Sequence, residues 1–247
     1  MVTLFFSTDP KITEILARSL ELKKIEDSEE FSGFDLYKKA WHILCHSSTG
    51  EHIFRQAFLY AYSEYDPEVI MYVSTATKVS TEIKEWDIVL PNVFFELHKD
   101  LKSLDLSKEN RDSLLSHPLF LEQYTLQNDY DFWEFGLRVG WICVTKNENQ
   151  ETDEETLEKI QISYEADIID DYAYWFLDEA KKLDILDRTY VVLWAIAKNP
   201  EISFIHIVHI ISFLLENLDW ENLIEDDGEE DEIELLNDED FKEKDMN

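Results

Sequence analysis

Asp66-Pro67-Glu68, followed by Val69-Ile70-Met71-Tyr72-Val73-Ser74-Thr75-Ala76-Thr77-Lys78-Val79, is the stretch on which the fold class turns. Its wealth of β-branched residues suits a strand, yet Val69, Val73 and Ala76 also share one stripe at helical spacing. Periodicity alone leaves both readings open. The start signal tilts the choice toward a helix: an aspartate that can cap, a proline in the first turn and an acid at the positive end of the helix dipole.

Working outward, Ser7-Thr8-Asp9-Pro10 carries the same kind of signal, and Ile12, Ile15, Leu16 and Leu20 behind it lie on one helical face. Residues 2–6 before it read as a short strand or a docked N-terminal segment. Helices are expected over 35–45 and 51–62, over 93–101, and from Ser107 to just before Pro118. An aromatic helix over 129–144 carries Tyr130, Trp133, Leu137 and Trp141, with Gly136 and Gly140 leaving a packing groove. Thr152 and Glu155 form a capping box that opens one long helix or two, through Leu183. Another helix starts at Asp187 and stops at Asn199-Pro200, and a last one from Ser203 is apolar on nearly every face, the mark of central burial.

Only five glycines and five prolines punctuate the 247 residues, too few for a turn-rich β-sandwich. The expected fold is therefore mainly all-α, an irregular helical bundle or helical-repeat-like domain of about ten helices. A short N-terminal strand and a disordered acidic C-terminal tail complete it. Residues 146–151 are polar without an apolar anchor and set the expected division. An N-terminal helical subdomain spans 1–145, a second one packed on it spans 146–224, and the tail covers 225–247.

Charge is the other dominant feature: 55 acids against 22 lysines and arginines give a net −33. Thirteen acids and two lysines in residues 225–247 account for −11, so the remaining residues still carry −22. Self-repulsion at this level opposes the compact state, which points to a role in binding. A basic face for phosphate neutralisation cannot be assembled, so direct nucleic-acid binding is not expected. Two cysteines make no disulfide scaffold, and the longest apolar stretch, 202–215, is too short for a membrane span. No membrane association and a cytoplasmic location are expected.

Few residues suggest chemistry. His42, Cys45 and His46 fall at i, i+3 and i+4 if their segment is a helix, a ligand set that Zn²⁺ accepts. Three ligands from so short a stretch strain tetrahedral geometry, and no metal or other cofactor is assigned. Asp167, Asp170 and Asp171 resemble Mg²⁺-holding carboxylate clusters but lack a matching cluster or a cationic cradle. There is no HExxH, no glycine-rich phosphate loop and no GxSxG elbow.

What remains is acids interleaved with aromatics, a combination suited to an interface with a basic protein. The expectation is a non-catalytic inhibitor or sequestering protein, not an enzyme, that occupies the nucleic-acid-binding surface of a nuclease, defence enzyme or similar protein. DNA mimics and immunity proteins share this charge character, with no motif in common. The alternatives are a helical adaptor or chaperone for basic proteins and, third, a metal-dependent helical enzyme. The expected contact residues are Asp129, Asp131, Glu134, Asp167, Asp170, Asp171, Glu225, Asp226 and Asp227.

Overall fold

The computed structural model describes residues 2–25, 33–85, 87–97, 119–120, 137–146 and 153–196. Their fold is mixed α/β, which overturns the all-α expectation. In chain order the elements begin with β1 (Thr3–Ser7), α1 (Pro10–Ser19), β2 (Lys23–Lys24), β3 (Phe34–Lys39), β4 (His42–Ser47), α2 (Glu51–Tyr65) and β5 (Val69–Lys78). They continue with β6 (Ile88–Glu96), β7 (Leu119–Phe120), β8 (Leu137–Thr145), α3 (Glu154–Tyr164), β9 (Ile168–Asp170), α4 (Ala173–Lys182) and β10 (Thr189–Ile196).

One sheet holds all ten strands, in the order β10-β6-β8-β9-β5-β1-β4-β3-β2, with β7 on β6. An additional pairing of β10 with β5 closes β10, β6, β8, β9 and β5 into a barrel-like ring. Strands β1, β4, β5 and β10 run parallel to one another. The expected boundary at 146–151 falls between β8 and α3, and strands from both sides of it share this sheet.

The segment that decides the fold is β5, and its neighbours explain why. It lies between β1 and β10, buried on both faces along most of its length. A parallel strand covered on both faces reads as a continuous apolar run without alternation. Tyr72 and Ala76 face the layer of α2 and α4, among Phe54, Phe58 and Phe176. Met71 and Val73 face the other way, toward α1, among Phe5, Ile12 and Leu16. Asp66, the expected helix start, is instead the C-cap of α2: its backbone is left-handed at φ 41° and its N–H donates to Tyr62 O at 3.0 Å. The N–H groups of Glu68 and Val69 then turn to the Val2 carbonyl, which starts the pairing with β1.

Other expectations are corrected the same way. The segment 35–45 is a β3–β4 hairpin turning through Ala40, whose φ is 51°. Residues 137–145 are strand β8, and 189–196 are strand β10, so neither forms the expected helix. Asp153, not Thr152, caps α3, accepting from Thr156 N–H at 2.8 Å. The helix start at Asp9-Pro10 and the short first strand stand as expected, with Asp9 capping α1. The expected 93–101 segment begins inside β6, while 107–117, the helix from Ser203 and the tail lie outside the described residues. Among the described residues no helix is long and apolar enough to cross a membrane.

Candidate functional site

The site follows from a mismatch in strand length. Strand β1 pairs with β5 only as far as Phe6 opposite Tyr72, while β5 runs on to Lys78. On the same edge, β9 takes over antiparallel at Thr77 and Lys78. Between these two partners, Val73 to Ala76 face no strand on that edge among the described residues. Open α/β sheets offer their ligand crevices at the carboxyl ends of strands where the strand order changes direction. This gap is such a point.

Both chain segments that leave the flanking strands bring a carboxylate to the gap. Leu4, Phe5 and Phe6 anchor β1 in the core, so the chain emerges at Ser7 and must turn into α1. Asp9 makes that turn: Oδ1 accepts from the Lys11 N–H at 2.8 Å and from the Ile12 N–H at 3.3 Å. Its Oδ2 accepts from Thr75 Oγ1 at 2.8 Å. On the other side, Asp170 ends β9 two residues before the N-cap of α4, Tyr172, and its Oδ1 accepts from the Tyr172 N–H at 2.6 Å and from the Ala173 N–H. Tyr72 Oη donates to Asp170 Oδ2 at 3.1 Å, and Thr8 Oγ1 lies 3.4 Å from the same hydroxyl. Thr8, Tyr72 and Asp170 thus form one polar line from the end of β1 to the start of α4. The β4–α2 loop joins the same rim, since Gly50 N–H donates to Tyr172 Oη at 3.0 Å and Phe54 stacks on the Tyr172 ring at 4.9 Å.

Burial sets the electrostatics. Asp170 is 2% exposed, and its carboxyl is pushed up to about 7, first by loss of water and then by the charge of Asp171. Its hydrogen bonds from the α4 N-terminus and Tyr72 oppose that rise. The Tyr72 hydroxyl is held well above its ordinary range by burial and by Asp170. A carboxyl that is half-protonated near neutrality is suited to donate a proton as a general acid.

The residues singled out from the sequence are not brought together in one place. Asp170 belongs to the site. Asp171 sits beside it, half exposed and 3.4 Å from Lys146 Nζ. Asp167 lies just before β9, where its Oδ2 accepts from the Ile142 N–H at 2.9 Å and its carbonyl accepts from the N–H groups of Val79 and Ser80. Asp129, Asp131, Glu134, Glu225, Asp226 and Asp227 lie outside the described residues. His42, Cys45 and His46 occupy β4, where alternation sends Cys45 to the opposite face from both histidines. Cys45 is wholly buried in the α2 layer and its thiol is raised by loss of water, whereas His46 Nδ1 lies 2.9 Å from Thr13 on α1. Among the described residues no group of three or more histidines, cysteines or acids could hold a metal ion. The sequence reading missed Thr8, Asp9, Tyr72 and Thr75. One signal for Asp9 was present: a short apolar strand running straight into Asp-Pro and a helix places that acid at a strand's carboxyl end.

No protein-family model matches the sequence, and no curated protein matches it. Solved structures do match in shape. A futalosine hydrolase mutant of Helicobacter pylori strain 26695 superposes with a TM-score of 0.59 at 11% identity, covering 87% of this chain and 97% of that one. The Campylobacter jejuni 5′-methylthioadenosine/S-adenosyl homocysteine nucleosidase gives 0.57 at 15% identity, over 87% and 96% of the two chains. The Arabidopsis thaliana 5′-methylthioadenosine nucleosidase, in apo form, gives 0.64 at 10% identity, over 90% and 97%. These neighbours are enzymes of mixed α/β architecture, and they correct the expectation of a non-catalytic all-α inhibitor, DNA mimic or adaptor. At such identities the likeness shows the fold: this chain has the architecture of the methylthioadenosine nucleosidases and futalosine hydrolase.

Proposed function

We propose that this chain is a hydrolase that binds a nucleoside in the β5 crevice and cleaves its N-glycosidic bond. The observation that carries the reading is the β5 edge at 73–76, unpaired among the described residues, with Asp9 held on Thr75 within it and Asp170 held on Tyr72 beside it. The fold likeness to nucleosidases supports it over nearly the whole length of both chains. Cleaving a glycosidic bond with water builds positive charge on the sugar while the departing base gains electrons. Two tasks follow: an anion near the sugar and a proton for the base. Asp9 supplies the first, held in place by Thr75. Asp170 holds a proton near neutral pH and supplies the second along the line of Tyr72 and Thr8. Water gives its hydroxyl to the sugar, and its remaining proton returns Asp170 to the acid form. Two buried free thiols, Cys45 and Cys143, fit a reducing, cytoplasmic setting.

A second reading, nucleoside binding without cleavage, is favoured by one observation. Both carboxylates already satisfy helix N-termini, so each has structural work of its own. The test is incubation of the purified chain with 5′-methylthioadenosine, S-adenosylhomocysteine and adenosine, following adenine by chromatography and binding by calorimetry. Turnover that falls about a hundredfold or more in Asp170→Asn supports the hydrolase. Saturable binding without adenine release selects the second reading. Neither release nor binding overturns both.

A further inference from the structure

Helix α1 and the β3–β4 hairpin enclose an open pocket of about 470 Å³, whose lining includes Pro10 and Thr13 next to Asp9 but neither Asp9 itself nor any residue of β5, within the size range of small-molecule sites. We infer that it is a separate ligand site for a small zwitterion of the α-amino-acid type, with an apolar or aromatic side chain. The charge pattern of its lining carries the argument. Glu14 and Arg18 stand one turn apart on α1, the spacing at which opposite charges ordinarily pair. Here neither makes an ion pair with a described residue, so among the described residues the two opposite charges stand unpaired on the exposed lining of the pocket.

The other ionisable groups of the lining are already accounted for. Asp35 is held by Lys24 Nζ at 2.8 Å. His46 is tied to Thr13 Oγ1 at 2.9 Å, and loss of water holds its pKa below the ordinary histidine range, so it is neutral at pH 7. The Tyr37 hydroxyl is raised by burial and stays protonated. Beneath the charges lie Leu22, which is 9% exposed, and the Tyr37 ring, a surface for a hydrocarbon or aromatic side chain. A ligand that is only anionic meets Glu14 unfavourably, and one that is only cationic meets Arg18. A zwitterion satisfies both, its carboxylate on the guanidinium fork and its ammonium on the carboxylate.

The test is a ¹⁵N–¹H NMR titration of the full chain with L-phenylalanine, 3-phenylpropionate and 2-phenylethylamine. The last two each lack one of the two charges. L-phenylalanine is expected to shift the amides of Ala17, Leu22 and Tyr37 saturably, with each half-ligand binding at least about tenfold more weakly. Arg18→Ala and Glu14→Gln are exposed changes that leave the spectrum elsewhere intact, and each is expected to weaken L-phenylalanine about tenfold. The inference is overturned if L-phenylalanine causes no saturable shift at these amides up to about 10 mM. Half-ligands that bind as tightly, or variants that bind like the parent, overturn it equally. None of these outcomes depends on whether the β5 crevice binds or cleaves a nucleoside.

Discussion

The chain contains two Asp-Pro steps, and they do opposite things. At Asp9-Pro10 a strand ends and a helix begins; at Asp66-Pro67 a helix ends and a strand begins. In both, the proline keeps the preceding residue out of the right-handed helical region. Asp9 resolves this in extended form, at φ −90° and ψ 117°, with its carboxylate free to cap the turn ahead. Asp66 resolves it left-handed, at φ 41° and ψ 63°, with its backbone N–H closing the turn behind. The dipeptide marks a boundary without giving its direction. Direction comes from the flanks. Residues 51–65 form a helix with Phe54, Ala57, Phe58 and Ala61 buried on one side, whereas β5 is buried on both.

The sharpest way to break this comparison is to strip one face of β5. Tyr72 is fully buried, 6.1 Å from the Phe54 ring and 5.3 Å from the Phe176 ring, and it also holds Asp170. Tyr72→Ala is expected to cost about 3–5 kcal/mol in chemical denaturation, and Met71→Ala on the opposite face about 2–5 kcal/mol. Comparable losses from adjacent residues mark a strand buried on both sides. A loss at one position only would contradict it.

Next in size is the pH dependence imposed by Asp170. Its carboxyl lies at about 7 in the folded chain against an ordinary 3.8. The folded state therefore binds more protons between those values, and stability falls as pH rises through that window, then levels off above pH 7. The whole decline is on the order of a few kcal/mol. In Asp170→Asn this component disappears, measured as the difference in denaturation midpoint between pH 4.5 and 7.5. An unchanged difference would place the carboxyl in water, outside the core described above.

These two residues also show what the sequence could and could not reveal. Asp9-Pro10 was legible as a helix start because the apolar spacing behind it has a single helical face and the cap is local. The β5 run was ambiguous for a physical reason: a strand buried on both faces loses the alternation that identifies strands, and short apolar runs then fit either period. Asp170 was noticed among its neighbouring acids, but not its partner. Tyr72 lies 98 residues away along the chain, and the strand that brings them together, β9, is only three residues long. No local pattern announces a three-residue strand inserted between two helices. The histidine–cysteine face fails for the same reason as the β5 helix: period 2 replaces period 3.6, and Cys45 turns to the side of the sheet opposite His42 and His46.

The smaller effects test the two aspartates against each other. Asp9→Ala removes the α1 cap and the bond from Thr75 together, and about 1–2 kcal/mol of stability is expected to go with them. Asp66 contributes through its backbone, because the N–H that reaches Tyr62 survives any non-proline substitution. Asp66→Gly places the residue that tolerates a positive φ most easily at the left-handed position. The expected change is between zero and about 1 kcal/mol of stabilisation, since the relief of strain in the folded chain is offset by the greater freedom of glycine in the unfolded one. The signs of the two substitutions are thus opposite, and thermal unfolding of both variants at one pH measures them side by side. Equal losses would mean that Asp66 acts through its side chain, like Asp9. The asymmetry between a cap that looks forward and one that looks back would then not hold.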